Sequence, residues 1–382
     1  MSKKIKIVAD DKIPFLKGVL EPFADVFYFP GKEITNEKVL DAEAIIVRTR
    51  TKCNKELLKN SIVKLITTAT IGYDHIDLDY CKKNNIEWIN APGCNSTSVM
   101  QYITTILLKI AQKDNFQLVN KTIGVVGVGN VGSKIQKVSE ILGMRVLLND
   151  PPREKIEGSD NFVSLDNIIE ESDIISFHVP LEKEGLYKTF HLADDTFFDK
   201  LSRKPLIINS SRGEVIDTAA LKKAVRNNKL SRVVLDVWES EPEIDLELQQ
   251  LVEYGTPHIA GYSGDGKANG TSVCVNKISK FFNFDIEKNW YPQNIPSAKS
   301  GNKIYIECTN KNEQQVLEEV VSSTYSIEYD HEKLKNHPGS FEEQRGNYPT
   351  RREFSNYYVK LEGCSQNISG KLIEMGFNII TN

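Results

Sequence analysis

Three residues in the second half of the chain have side chains suited to chemistry on a hydroxy acid: Arg212 in "INSSRGEVID", Glu241 in "LDVWESEP" and His258 in "TPHIAG". A guanidinium binds a carboxylate as a planar fork and can polarise a forming carbonyl, which an ammonium cannot imitate. An imidazole changes charge near neutrality and can take a hydroxyl proton. A carboxylate beside it orients the ring and favours the charged form. Anchor, base and orienting acid are what the oxidation of a 2-hydroxy acid requires. Taken singly, each residue is better explained as a solvated loop side chain.

Such an oxidation needs a hydride acceptor, and the sequence provides a place for one. "GVGNVG" sets Gly127, Gly129 and Gly132 in GxGxxG spacing, directly after the apolar run "TIGVVG" and at the start of a helical pattern. The first glycine permits a tight turn, the second lets a pyrophosphate approach the backbone, and the third allows close helix–strand packing. The phosphates then meet the helix N-terminus. Asp150, at the end of "RVLLND", stands about 20 residues on, where an acid binds the ribose hydroxyls. That acid favours NAD over NADP, and nearby Arg153 is the counter-signal.

The elements that must position these groups are legible as alternating runs. "IKIVAD", "AIIVRTR" and "VKLITTAT" read as strands, with "NEKVLD", "NKELLKN" and "DLDYCKKNN" as helices between them. A second series has strands at "TIGVVG", "RVLLND", "DIISFHVP", "PLIINSS" and "RVVLDVW". Arg212, Glu241 and His258 fall at or just past late strand ends of that series, where ligands bind in open α/β sheets. From about Trp290 a linker leads to "KIYIECT", "NEQQVLEEVVSST" and "YSIEYD", read as strand, helix and strand, with "NYYVKLEG" and "FNIITN" completing a small α+β unit.

Bulk properties narrow the class. Forty-eight basic against 52 acidic residues give a net charge of −4, which argues against nucleic-acid binding through global charge. No window approaches a membrane span, so no membrane partner is expected. Six scattered cysteines without a CxxC pair fit a reduced, cytoplasmic protein. "DHID" lacks ligand spacing, so no metal is expected. His178 is expected beside the adenosine, and His191, His331 and His337 at the surface.

"GVGNVG", "HVPL", "INSSRGEVID", "LDVWESEP" and "TPHIAG", in this order, resemble the D-isomer-specific 2-hydroxyacid dehydrogenases over roughly residues 40–285. The resemblance implies an α/β fold of two doubly wound parallel-sheet domains. Residues 1–93 and 260–288 would form a flavodoxin-like substrate domain, and 94–259 a Rossmann-type NAD domain. It makes Arg212, Glu241 and His258 the catalytic residues. Asn130, Val131, Asp236 and Gly261 would join the three glycines and Asp150 around NAD.

A narrower resemblance within the family is carried by "APGCNS", "TPHIAGY…GKANGT" and "HPGSFEEQRGNYPTRREFSNYYV". It implies that 289–382 is a small α+β dimerisation domain of a homodimer and that the substrate is a phosphorylated 2-hydroxy acid. Thr49, Thr70 and Tyr262 would bind that substrate. Arg48, Arg50 and Lys52 are candidates for its phosphate, as are Arg351 and Arg352 reaching across a dimer. Two other readings stay open: a phosphorylated acid one carbon shorter, and an NADH-sensing corepressor-like protein that turns nothing over.

Overall fold

The structure, a computed structural model, describes residues 4–298 and 301–380. The chain divides into two compact units. Residues 1–95 and 263–296 make the first, and 96–262 with 297–382 the second. The C-terminal segment thus clusters with the glycine-loop half.

The first unit is built on a five-stranded parallel sheet: β1 (Ile5–Asp10), β2 (Ala24–Phe29), β3 (Ala44–Val47), β4 (Leu65–Thr68) and β5 (Glu87–Ile89). Its order, β2-β1-β3-β4-β5, is the flavodoxin-like one. The central strands β3 and β4 are buried throughout, as a sheet covered on both faces requires. The edge strands β2 and β5 are the two that the hydrophobic pattern does not announce. They are only partly buried, and Phe27 on β2 is 45% exposed.

In the second unit, β6 (Thr122–Val126), β7 (Arg145–Asn149), β8 (Ile174–Phe177), β9 (Leu206–Asn209), β10 (Arg232–Leu235) and β11 (Tyr254–Gly255) form a parallel sheet of order β11-β10-β9-β8-β6-β7. Helices cross over between strands, several of them capped by Asp or Ser side chains, such as Asp217 accepting from the Ala220 N–H. The helix Ser96–Lys113 is buried almost all round. Such a helix needs partners on every side, and it packs on both the helix Gly132–Ile141 and the C-terminal helix Glu313–Ser322.

The C-terminal segment adds β12 (Lys303–Glu307), β13 (Tyr358–Glu362) and β14 (Asn378–Ile379), all parallel and joined through helices. Its apolar residues, including Val316, Val320 and Phe354, belong to the same core cluster as Ile106 and Ile123. Two expectations are corrected here. "YSIEYD" enters a helix, Ile327–Asn336, because Ser326 caps it and Ile327, Asp330, His331 and Leu334 share its buried face. Cys308 and Cys364 are joined as a disulfide with Cα atoms 5.2 Å apart, so not all cysteines are thiols.

Candidate active site

At the end of β6 the chain turns through Gly127, whose φ of +89° suits a residue without a Cβ. A Cβ at Gly132 would lie 2.0 Å from the Gly127 carbonyl oxygen, so the helix Gly132–Ile141 can start this close only with glycine there. Around Gly129, by contrast, a Cβ would meet nothing within 4 Å, and Gly129 and Asn130 are exposed. This leaves open backbone before a helix N-terminus, which fits a pyrophosphate. Val131, partly buried, packs against the core below.

Asp150 lies beside the loop. One carboxylate oxygen accepts from the Val128 N–H at 2.8 Å and the other from the Arg153 N–H at 3.1 Å. Each oxygen keeps a lone pair for ribose hydroxyls. Arg153 is committed elsewhere: it grips Glu157 in a fork at 2.6 and 2.8 Å and donates to the Val128 carbonyl at 2.5 Å. The side chain that could have accommodated a 2′-phosphate is thus paired, in keeping with NAD.

The reacting end is assembled from three neighbouring strand ends. Arg212 follows β9, Glu241 follows β10 and His258 follows β11, which are adjacent in the sheet. Asn209 shapes the turn before Arg212: its Oδ1 accepts from the N–H and hydroxyl of Ser211, and its Nδ2 donates to the Arg212 carbonyl. Arg212 is half-buried and donates to the Ser211 carbonyl at 2.8 Å. Gly213 lets this turn press on the Trp238–Glu239 backbone, where a Cβ would come within 2.0 Å.

Glu241 and His258 are brought together as a pair. His258 Nδ1 lies 2.8 Å from one Glu241 oxygen, and the Trp238 N–H donates to the other at 2.9 Å. Burial would raise the Glu241 carboxyl. The His258 imidazole, the Trp238 N–H and Arg345 together outweigh it and hold the carboxyl below its usual range. With Nδ1 engaged, Nε2 is the ring nitrogen left for chemistry. His258 adopts φ +56°, a left-handed conformation that costs a side-chain-bearing residue on the order of 1–3 kcal/mol.

Asp236, 1% exposed, lies beneath this loop. Its carboxylate accepts from the Ile259 and Ala260 N–H groups at 2.7 and 2.9 Å and from the Thr256 hydroxyl at 2.6 Å. Burial raises its pKa, partly offset by the nearby imidazole and these donors. The Tyr102 hydroxyl bonds Thr256 at 2.7 Å, carrying the network to the central helix. Gly261 and Tyr262 follow, both partly exposed. Tyr262 meets Tyr348 edge-on at 5.9 Å, under the Arg345 guanidinium at 5.7 Å.

In the first unit, Thr49 and Thr70 follow the adjacent strands β3 and β4. Thr49 is exposed between exposed Arg50 and half-buried Arg48, with Lys52 exposed nearby. The Thr70 hydroxyl bonds Thr68 at 2.7 Å and donates to the Gly72 carbonyl at 3.0 Å.

Other expectations change. His331 is 7% exposed rather than superficial, because its Nδ1 accepts from the Gly255 N–H. His191 is half-buried, 2.7 Å from Glu239 and 3.2 Å from Asp217. His178 keeps some surface, yet its ring is desolvated, which pushes it down to about 3, and Nε2 bonds the Ser176 hydroxyl at 2.8 Å. Arg351 does not reach outward: it is 5% exposed, folded against its own chain. Arg345 and Arg351 lie in a charged run that gives no sign of which cation turns inward.

Residues 107–260 match the NAD-binding domain of the D-isomer-specific 2-hydroxyacid dehydrogenases, and 300–375 match a domain of unknown function (DUF3410). An erythronate-4-phosphate dehydrogenase of Bacteroides thetaiotaomicron is 53% identical, covering 93% of this chain and 99% of its own. Among solved structures, a D-lactate dehydrogenase of Aquifex aeolicus with NAD and lactic acid aligns at TM-score 0.60 and 28% identity, covering 74% of this chain and 96% of its own. An NAD-bound 3-phosphoglycerate dehydrogenase of Entamoeba histolytica aligns at 0.62 and 27%, covering 76% and 99%.

Proposed function

Because the chain belongs to the erythronate-4-phosphate dehydrogenases, within the D-isomer-specific 2-hydroxyacid dehydrogenase family, we infer that it oxidises 4-phospho-D-erythronate to 3-hydroxy-2-oxo-4-phosphooxybutanoate. The activity fits a role in pyridoxal 5′-phosphate biosynthesis. The Gly127–Gly132 loop and Asp150 would hold NAD, which would supply the acceptor for the C2 hydride. His258 takes the C2 hydroxyl proton on Nε2, and gives it back in the reverse direction. Glu241, ionised and 2.8 Å from Nδ1, holds the ring and offsets its new charge. Arg212 grips the carboxylate and polarises the forming carbonyl. Thr49, Thr70 and Tyr262 contribute hydroxyls to the substrate, while Asn130, Val131, Asp236 and Gly261 line the cofactor. The observation that supports this reading best is the Glu241–His258 pair on strand ends next to Arg212.

We propose a cytoplasmic homodimer. Among the described residues no helix is long and apolar enough to cross a membrane. The C-terminal sheet turns Lys303, Tyr305, Glu307 and Tyr358 outward, with Tyr305 66% exposed, which suits a face that a second copy covers. In the cytoplasm the Cys308–Cys364 pair meets a reducing thiol pool, and thiol labelling of freshly lysed cells reads its state.

The test is NAD reduction by the purified protein with 4-phospho-D-erythronate, run beside 3-phosphoglycerate, with a 2-oxo acid present to reoxidise tightly held NADH. Preference for the four-carbon acid is expected. Preference for 3-phosphoglycerate overturns the substrate, and NADH binding without turnover of either overturns the enzymatic reading.

A further inference from the structure

Arg351 is the most deeply buried cation described here, and its place is specific. Its Nη2 donates to the carbonyls of Ile259, at 3.3 Å, and of Ala260, closer still. The N–H groups of the same two residues donate to Asp236. The two residues after His258 are therefore held from both sides, N–H by an anion and C=O by a cation. The His258 N–H is itself tied to the Asp236 carbonyl at 2.7 Å. A histidine in a left-handed conformation stays there only when its surroundings over-determine it.

We propose that Arg351 is a positioning residue, reaching from the C-terminal segment to fix the loop that carries His258. The proposal rests on the reading of His258 as the base. It gives the C-terminal segment a part in each protomer's own chemistry, besides any part in assembly.

Four further observations support it. The segment that presents Arg351 is anchored on the buried helix Ser96–Lys113: Gln101 Nε2 donates to the Arg352 carbonyl at 3.0 Å, and the Ser98 hydroxyl to Glu353 at 2.7 Å. The guanidinium stacks 4.6 Å from the Tyr325 ring centroid. Burial works against its charge, but Tyr348, Tyr325, Asp330 and Asp236 around it more than offset this and keep it protonated. Lastly, Nε and Nη1 are buried with no hydrogen-bond partner. Unpaired buried donors oppose folding, and an apolar side chain of similar volume is often as good for stability as a buried ion. Retaining the cation here favours loop geometry over stability.

The experiment uses the full chain with four variants: Arg351→Met, Arg351→Lys, Val320→Ala and His258→Asn. Val320 is fully buried in the C-terminal core and distant in role, so its truncation reports what destabilisation alone does to turnover. With 4-phospho-D-erythronate as substrate, Arg351→Met should lower kcat by about 10²-fold, the scale of a 1 Å misplacement, while the NADH dissociation constant changes little. Arg351→Lys keeps the charge but not the fork, and should lose on the order of 10-fold. Val320→Ala should keep near-native kcat at temperatures where it is folded, despite a lower Tm. The proposal is overturned if either folded Arg351 variant turns over no more slowly than Val320→Ala, or if the NADH constant and kcat collapse together. Failure of both Arg351 variants to fold also overturns it, since the residue would then be structural. His258→Asn separates the two readings. An active His258→Asn removes the base, whereas an inactive one beside near-native Arg351 variants removes only the clamp.

Discussion

The cofactor end and the reacting end of the second unit are made differently. The glycine loop and Asp150 lie within one β-strand–helix–β-strand passage, and Asp150 reaches Val128 only 22 residues back. The reacting end draws on three separate strand ends and then on Arg351, 92 residues beyond Ile259. One is a local device that the backbone largely makes by itself. The other exists only when distant segments pack correctly, so its residues should fail in different ways.

Substitutions can sharpen that contrast. The largest effect is expected at His258: His258→Asn should cost about 10²–10⁴ in turnover, the usual contribution of a general base, with NADH binding little changed. Steady-state rates and an NADH fluorescence titration measure both quantities. Arg212→Lys should come close behind, because the charge stays and the planar fork is lost. A mild loss there would mean that another group holds the substrate carboxylate.

At the local end the pattern should reverse. Gly132→Ala drives a Cβ into the Gly127 carbonyl, and overpacking of this kind costs about 1–3 kcal/mol. The strain falls where the pyrophosphate would sit, so NADH affinity should weaken by about 10–100-fold, measured by the same titration. Unchanged affinity would place the dinucleotide elsewhere.

The smallest effect concerns pH. His178 is pushed from its ordinary 6.5 down to about 3 by desolvation. The unfolded chain therefore binds this proton first as the solution is acidified. Its contribution to stability is complete above about 6.5 and is lost progressively as pH falls toward about 3. In His178→Asn that part of the slope should vanish, so Tm between pH 7 and pH 5 should fall less than in the unsubstituted protein. An identical fall would show that other groups carry the acid sensitivity.

Much of this architecture was legible because it is written in short-range patterns. Buried parallel strands are runs of Val, Ile and Leu, and GxGxxG with an acid at the next strand end is a spacing that needs no partner. Edge strands β2 and β5 were not legible, since half-exposed strands lose that apolar signal. "YSIEYD" alternates like a strand, yet the Ser326 cap and a buried face spaced by three and four residues make it helical. Arg212, Glu241 and His258 could be picked out as residue types at strand ends, but their adjacency depended on the strand order.

By itself the sequence determined the chemical inventory and the local frames: a glycine turn before a helix, an acid at the end of the next strand, and an arginine, glutamate and histidine each following a strand. Tertiary structure alone decided that β9, β10 and β11 are neighbours, so that Glu241 meets His258. It also decided that Arg351, rather than half-buried Arg345 or Arg352, turns inward onto the Ile259–Ala260 carbonyls. The reason is physical. Spacing along the chain governs groups that share one turn or one strand. Which buried charge finds which backbone carbonyl depends on desolvation and packing among segments far apart in sequence.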